Sequence, residues 1–278
     1  MPTPPPSRPL DESAVRRAAR ALDEADSILF VTGAGISADS GLPTYRGVGG
    51  LYEERRTDDG YPIEVALSGE MLASRPDVCW RAIAQIELAC RGARPNRAHE
   101  RIAELEREKE RVWVLTQNVD GLHRSAGSEN VIEIHGDVHD LVCTGCGAEE
   151  RVEDYSALDV PPRCERCGAL VRPVVVLFGE MLPVPALERL RHEVGRGFDL
   201  VFSIGTTSVF PYIAEPVVLA RERGGFTIEI NPGESGVSHH VDLHLRAGAS
   251  EALEAIVGAR GERSRAGRPT TGTDSGLE

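Results

Sequence analysis

An α/β fold is predicted, a doubly wound parallel sheet carrying a smaller inserted lobe, and three observations predict it. Short apolar runs rich in β-branched residues alternate with stretches of helical period. A glycine-rich turn follows the first run, and two Cys-x-x-Cys pairs interrupt the alternation further on. Such near-continuous apolar runs suit strands covered on both faces, which favours parallel pairing beneath helices.

Taken in order, the proline-rich residues 1–9 are set aside as a tail. Helical period runs from about 12 to 25, and Ile28 to Thr32 reads as the first strand. The charged segment 51–94 breaks the alternation and holds a helix at 75–91. A helix at 97–110 and strands at Val112 to Thr116 and Val131 to Ile134 follow. The cysteine segment 141–170 is the second break. Beyond it come strands at Val174 to Phe178, Leu200 to Ile204 and Phe226 to Ile230, with helices at 184–195, 211–223 and 250–259. Residues 261–278 have no apolar period and form a second tail. The expected organisation is a main domain over 10–50, 95–140 and 171–260, with 51–94 and 141–170 together building the small lobe.

The 278 residues suffice for one large domain or a large and a small one. With 41% hydrophobic and 27% charged residues, the chain is neither disordered nor membrane-like in composition, and no apolar run reaches the roughly 20 residues of a spanning helix. The opening "MPTPPPSRPL" has no apolar stretch typical of a signal peptide, so a cytoplasmic protein is expected. A formal net charge of -13 repels phosphate-rich surfaces, and neither a nucleic acid nor a membrane is expected as a partner.

In "TGAGISA", Gly33, Gly35 and Ala38 satisfy G-x-G-x-x-A after a strand. Two readings compete: backbone N–H groups approaching a pyrophosphate, or small residues chosen for packing. A dehydrogenase would continue into a second strand ending in an acid that holds the adenosine ribose. Here the chain continues as "SGLPTYRGVGGL", and Glu53, Glu54 and Asp58 sit in a stretch without strand character. Tyr45 and Arg46 are the large polar arms of that loop, suited to covering a nucleotide and excluding water.

Cys143-x-x-Cys146 and Cys164-x-x-Cys167 lie seventeen residues apart, and a glycine follows each pair. Two such knuckles place four thiolates around one Zn²⁺. Disulfides are the competing reading, disfavoured in a chain with no export signal. Four thiolates close the coordination sphere, so the metal is expected to be structural. Cys79 and Cys90 fall on a helical stripe with Ile83 and Ile86 and read as packing.

Just past two predicted strands stand Gln117, Asn118 and Asp120, in "TQNVDGLH", and His135, in "VIEIHGDVH". Ligands of doubly wound sheets bind outside the carboxyl ends of strands, so these are candidates to hold a ribose or an amide. A capping or core role for His135 stays open on position alone. His123 and His139 have weaker cases, and His239, His240 and His244 lack metal-ligand context.

Taken together and in order, "GAGISADSGLPTYRG", "TQNVDGLH", "IHG", the cysteine pairs, "RPVVVLFGEMLP", "GTTSVFP" and "INP" resemble the sirtuins, NAD-dependent protein deacylases. The resemblance implies a Rossmann-like NAD domain and a zinc-containing small domain, with acyl-lysine peptides as partners in the cleft between them. It assigns Gly33, Ala34, Gly35 and Arg46 to NAD, with Tyr45 over the nicotinamide ribose and Gln117 holding that ribose. Asn118, Val119 and Asp120 would form the nicotinamide end, and Asn118 joins His135 as a catalytic candidate. Gly205, Thr206 and Ser208 would meet phosphate or ribose, Asn231 the adenosine ribose, and Val176 and Phe178 the acyl-lysine tunnel.

This chain departs from the pattern in having Tyr45 where the family usually has phenylalanine. Sirtuins that remove succinyl or malonyl groups resemble one another in a Tyr-x-x-Arg pair on the 75–91 helix, and those positions fall on Ile83 and Ile86 here. Without that cation a buried carboxylate costs several kcal/mol, so acetyl or longer apolar acyl groups are expected over succinyl. The mechanism implied asks for a general base, for which the imidazole of His135 is suited. ADP-ribosyl transfer to protein and a non-catalytic module binding NAD and zinc are the alternatives.

Overall fold

The computed structural model describes residues 9–44, 56–57 and 59–266, with backbone alone over 261–266. In chain order the elements are α1 (Glu12–Glu24), β1 (Ser27–Thr32), a 3-10 segment (Ala34–Ser40), α2 (Ile63–Ala66), α3 (Gly69–Ser74) and α4 (Pro76–Cys90). Next come α5 (Arg97–Glu108), β2 (Arg111–Thr116), α6 (Leu122–Ser125), β3 (Val131–Glu133), β4 (Gly136–Cys143), β5 (Glu149–Arg151) and β6 (Val171–Val175). The chain closes with α7 (Val184–Arg196), β7 (Leu200–Ile204), α8 (Pro211–Glu222), β8 (Phe226–Ile230), β9 (Leu243–Leu245) and α9 (Ala249–Ala266).

The main sheet has the order β3-β2-β1-β7-β8-β9 and every pairing is parallel. Residues 28–31 of β1 and all of β7 are buried, as strands covered on both faces require. Phe30 and Phe202 are register partners in the middle of the sheet and stack at 4.9 Å. Full burial of side chains this large contributes roughly 1.5–3 kcal/mol each. One face of the sheet is covered by α1, α5 and α9, the other by α7 and α8. Local signals set the helix ends. The Asp11 carboxylate accepts from the Ser13 N–H at the start of α1, and Asn96 and His99 form a reciprocal cap on α5.

Strand order reverses between β1 and β7, so the loops after them diverge and leave a crevice at their carboxyl ends. Thr32 pairs with Thr116 on one side and Ile204 on the other, and Ile204 pairs with Ile230. Four loops therefore emerge level with one another.

A second, three-stranded antiparallel sheet has the order β5-β4-β6. It corrects the expected strand from Val174 to Phe178. The strand is β6, it lies outside the parallel sheet, and it ends at Val175. An apolar run satisfies a small-lobe core as readily as a central strand, so hydrophobicity alone did not tell the sheets apart. β4, β5 and β9 were not foreseen. The first reads "GDVHDLVC", with polar residues breaking the run, and the other two have three residues each. Helix α9 also runs beyond the expected limit at 260.

The second sheet packs with α2, α3 and α4 around its own core. Trp80 lies 5.5 Å from the Tyr155 ring, and its indole N–H donates to the Val171 carbonyl at 3.0 Å. The two sequence segments that interrupt the main domain thus share one hydrophobic cluster.

Candidate active site

The crevice is a cavity of about 920 Å³ bounded by both sheets. Its floor is the turn after β1, where Gly33, Ala34 and Gly35 face the loop after β7. A Cβ on Gly33 would lie 2.8 Å from the Gly205 carbonyl oxygen, and one on Gly35 would lie 2.6 Å from the Gly205 Cα. Both contacts are with backbone, so neither position has room for a side chain. The Gly33 N–H donates to the Ile204 carbonyl at 3.0 Å and the Gly35 N–H to the Gly205 carbonyl at 2.9 Å. These N–H groups tie two loops together, which is the packing reading of the motif, while the same turn lines the cavity.

Side-chain amides extend the lattice. Gln117 Nε2 donates to the Thr206 hydroxyl at 2.8 Å, and Asn231 Nδ2 to the Thr206 carbonyl at 3.0 Å. Asn118 is buried and donates to the Gly33 carbonyl and to the Ser37 hydroxyl at 3.2 and 3.3 Å. The Ser37 hydroxyl donates in turn to Asp120 at 2.8 Å. Burial pushes the Asp120 carboxyl above its ordinary pKa, although it accepts from Ser37 and the Leu122 N–H. Asn118 and Asp120 line a small recess beside the main cavity, with Ala34, Ile86 and Cys90. Val119 faces the main cavity.

His135 follows β3 and faces the cavity, edge-on to Phe210. Its Nδ1–H donates to the Gln117 carbonyl at 3.0 Å. A carbonyl can only accept, so a neutral ring presents Nε2 as an acceptor, and the Tyr212 hydroxyl donates to it at 2.8 Å. Burial lowers the His135 pKa, and the Gln117 carbonyl opposes part of that shift.

Val176, Phe178, Ile83 and Ile86 also line the cavity, with Leu67 and Leu177. The Val176 N–H donates to the His135 carbonyl at 3.0 Å, which draws this segment against the histidine turn. Among the described residues that line the cavity there is no arginine or lysine. The nearby Arg172 guanidinium forms a two-pronged pair with Glu180 at 2.6 and 2.9 Å.

Several expected positions lie elsewhere. Tyr45 and Arg46 are outside the described residues. Ser208 is buried with its hydroxyl 3.4 Å from that of Ser203, and Thr207 faces the cavity in its place. Tyr212 and Asp39 also line the cavity and carried no signal in the sequence. His123 is buried against the Thr32 hydroxyl, His139 binds Asp137, and the His244 Nε2–H donates to the Asn231 carbonyl.

The cysteines converge as their spacing implied. Cys143 and Cys167 have sulfurs 3.4 Å apart, Cys146 and Cys164 3.7 Å apart, and all four lie within 4.8 Å of one another. Four sulfurs about 2.3 Å from a tetrahedral Zn²⁺ stand roughly 3.8 Å apart, so the set fits one structural zinc. The N–H groups of Cys146 and Gly145 point at Cys143 Sγ and bring its pKa down to about 6, favouring the thiolate a metal needs. Burial pushes the Cys79 and Cys90 thiols up to about 12, in keeping with packing roles.

A crevice at the switch point of a parallel sheet, lined also by a second sheet that carries a four-cysteine cluster, defines a dinucleotide-binding α/β protein with a zinc-fitted second lobe. The chain belongs to the Sir2 family, whose model matches residues 33–211. It is 51% identical over 248 residues to the NAD-dependent protein deacylase 2 of Pseudomonas aeruginosa, covering 88% of this chain and 96% of that one. A solved Sir2 homologue in complex with NAD is 38% identical with a TM-score of 0.78, covering 91% of this chain and 94% of that one. A Sir2 structure with p53 peptide and NAD+ is 30% identical with a TM-score of 0.75, covering 87% and 97%.

Proposed function

We propose that the protein is an NAD-dependent protein-lysine deacylase that prefers acetyl and longer apolar acyl groups to succinyl. The observation that carries the preference is the apolar wall of the cavity, where Ile83 and Ile86 stand and the Arg172 guanidinium is held by Glu180. The deacylase reading is supported by the family, by the name of the P. aeruginosa relative, an NAD-dependent protein deacylase, and by His135 lining the crevice at the strand ends.

Bound NAD supplies a ribosyl carbon that turns electrophilic towards the acyl oxygen as nicotinamide departs. The protein's part is to position and to desolvate. Gly33, Ala34, Gly35, Gly205 and Thr206 form the floor for the dinucleotide, Gln117 and Asn231 reach its riboses, and Asn118, Val119 and Asp120 enclose the nicotinamide end. Val176 and Phe178 flank the acyl-lysine. His135 takes up a ribose hydroxyl proton at Nε2 while Nδ1–H stays on the Gln117 carbonyl. The products are nicotinamide, free lysine and O-acyl-ADP-ribose. Among the described residues no helix is long and apolar enough to cross a membrane, and we place the protein in the cytoplasm, where its thiols stay reduced.

Comparing kcat/KM on one peptide carrying acetyl, succinyl or a long-chain acyl group tests the preference. Succinyl is expected to fall below acetyl by about a hundredfold or more, as burial of an unpaired carboxylate implies. Equal or better use of succinyl contradicts it.

A further inference from the structure

We propose that Tyr212 is a positioning residue for His135, its hydroxyl holding the proton-accepting ring nitrogen in the crevice until a ribose hydroxyl takes its place. This rests on the reading of His135 as general base.

Three contacts fix the geometry. The Gln117 carbonyl takes Nδ1–H at 3.0 Å, which leaves Nε2 as the only site for a further donor on the neutral ring. Tyr212 fills that site at 2.8 Å. The phenol is itself held from behind, because its ring stacks on Phe210 with centroids 5.5 Å apart and planes 13° apart. Phe210 also presents its face or edge to the imidazole at 6.4 Å, so histidine, tyrosine and phenylalanine form one aromatic group at the start of α8. Tyr212 and His135 both line the cavity, so the bond between them stands where a substrate hydroxyl must arrive.

A hydroxyl donating to Nε2 meets the neutral ring, whereas an imidazolium is met only if the phenol turns its oxygen to accept. The Tyr212 hydroxyl as placed therefore favours the unprotonated base and keeps it turned before substrate binds. During turnover the phenol keeps its own proton, the ribose proton passes to Nε2, and the proton on Nδ1 does not move. The ring then carries two N–H groups and Tyr212 can no longer donate to it. Other titratable groups near this turn are engaged elsewhere: Asp137 accepts from His139 and Arg151 at 2.8 and 3.0 Å, and Asp120 from Ser37 and Leu122. Beside the Tyr212 hydroxyl, burial lowers the His135 pKa and the Gln117 carbonyl opposes part of that shift.

The variant is Tyr212→Phe, which retains the ring that stacks on Phe210. Two readouts apply: the titration of His135 followed by its imidazole nitrogen resonances in ligand-free protein, and the pH profile of kcat/KM with NAD and acetyl-lysine peptide. Loss of a hydrogen bond to the neutral form raises the pKa, by about half a unit or more for one such bond, and the acid limb moves up with it. The KM for peptide is expected to stay within about twofold of the parent, since the hydroxyl meets the base and not the peptide. A His135 titration that the substitution leaves unmoved overturns the proposal. So does a ligand-free parent protein whose His135 carries its proton on Nε2, which needs no variant to detect. A titration that shifts while the acid limb stays still instead sinks the reading of His135 as the base.

Discussion

One nitrogen of His135 is anchored to the Gln117 carbonyl, the other accepts from Tyr212, and burial favours the uncharged ring, the state the proposed general base requires. Replacing it by alanine is expected to lower kcat by about a hundredfold to ten-thousandfold while the Kd for NAD changes little, measured by steady-state kinetics and calorimetry. His99 and His123 behave differently. They are buried edge to face at 4.8 Å beneath the nucleotide turn, and burial lowers both, His99 to about 4. Between that value and the unfolded pKa near 6.5 the unfolded chain binds more protons, so stability rises with pH through this window and is lost as pH falls through it. The urea midpoint is expected to drop from pH 7 to pH 4.5, and to drop less in His99→Gln, whose amide can keep the reciprocal cap with Asn96. Equal drops in the two proteins contradict this assignment. The residue scale is also where the sequence was least legible. "TQNVDGLH" and "IHG" mark polar groups at strand ends, but the bond from Tyr212 to His135 joins positions 77 apart, and no local pattern encodes it. Likewise the sequence alone does not say which hydroxyl of Thr207 and Ser208 turns outward, because that depends on the positive φ of Ser208.

At the scale of elements, the turns after β1 and β7 are locked face to face by Gly33, Gly35 and Gly205. Gly35→Ala forces a Cβ into backbone 2.6 Å away, and overpacking of this kind costs about 1–3 kcal/mol. A lowered denaturation midpoint together with weakened NAD binding is the expected outcome, and an unchanged midpoint counts against the close approach. The second sheet depends on its cysteines in the same local way. Cys143→Ser is expected to abolish stoichiometric zinc, read by elemental analysis, and to destabilise the lobe centred on Trp80 and Tyr155. Retention of one zinc per chain contradicts a four-thiolate site. On α4, the double substitution Ile83→Tyr with Ile86→Arg introduces the missing cation at the apolar wall and is expected to raise kcat/KM for succinyl-peptide relative to acetyl-peptide; no change in that ratio argues against these positions facing the acyl group. The strands at β1, β2, β7 and β8 were legible because apolar residues dominate them, even with Glu229 inside β8. β4 was not, since its Asp137, His139 and Asp140 turn to partners within the small lobe.

For the molecule as a whole, a strand-order reversal opens a crevice on the main sheet, and residues of the second sheet and its neighbours line its other wall. The alternation of strand and helix made the sheet and its crevice readable from sequence. The second wall needed three dimensions, because residues of the segment before β2 and of the segment after β3 meet in one hydrophobic cluster. The central claim is that this cavity couples nicotinamide release to acyl transfer from lysine onto ribose. Mass spectrometry of the products formed from NAD and an acetyl-lysine peptide tests it most directly. The expected result is nicotinamide, deacetylated peptide and O-acetyl-ADP-ribose in equal amounts, with no nicotinamide release when peptide is omitted. ADP-ribose attached to protein, or nicotinamide release indifferent to the peptide, would contradict it.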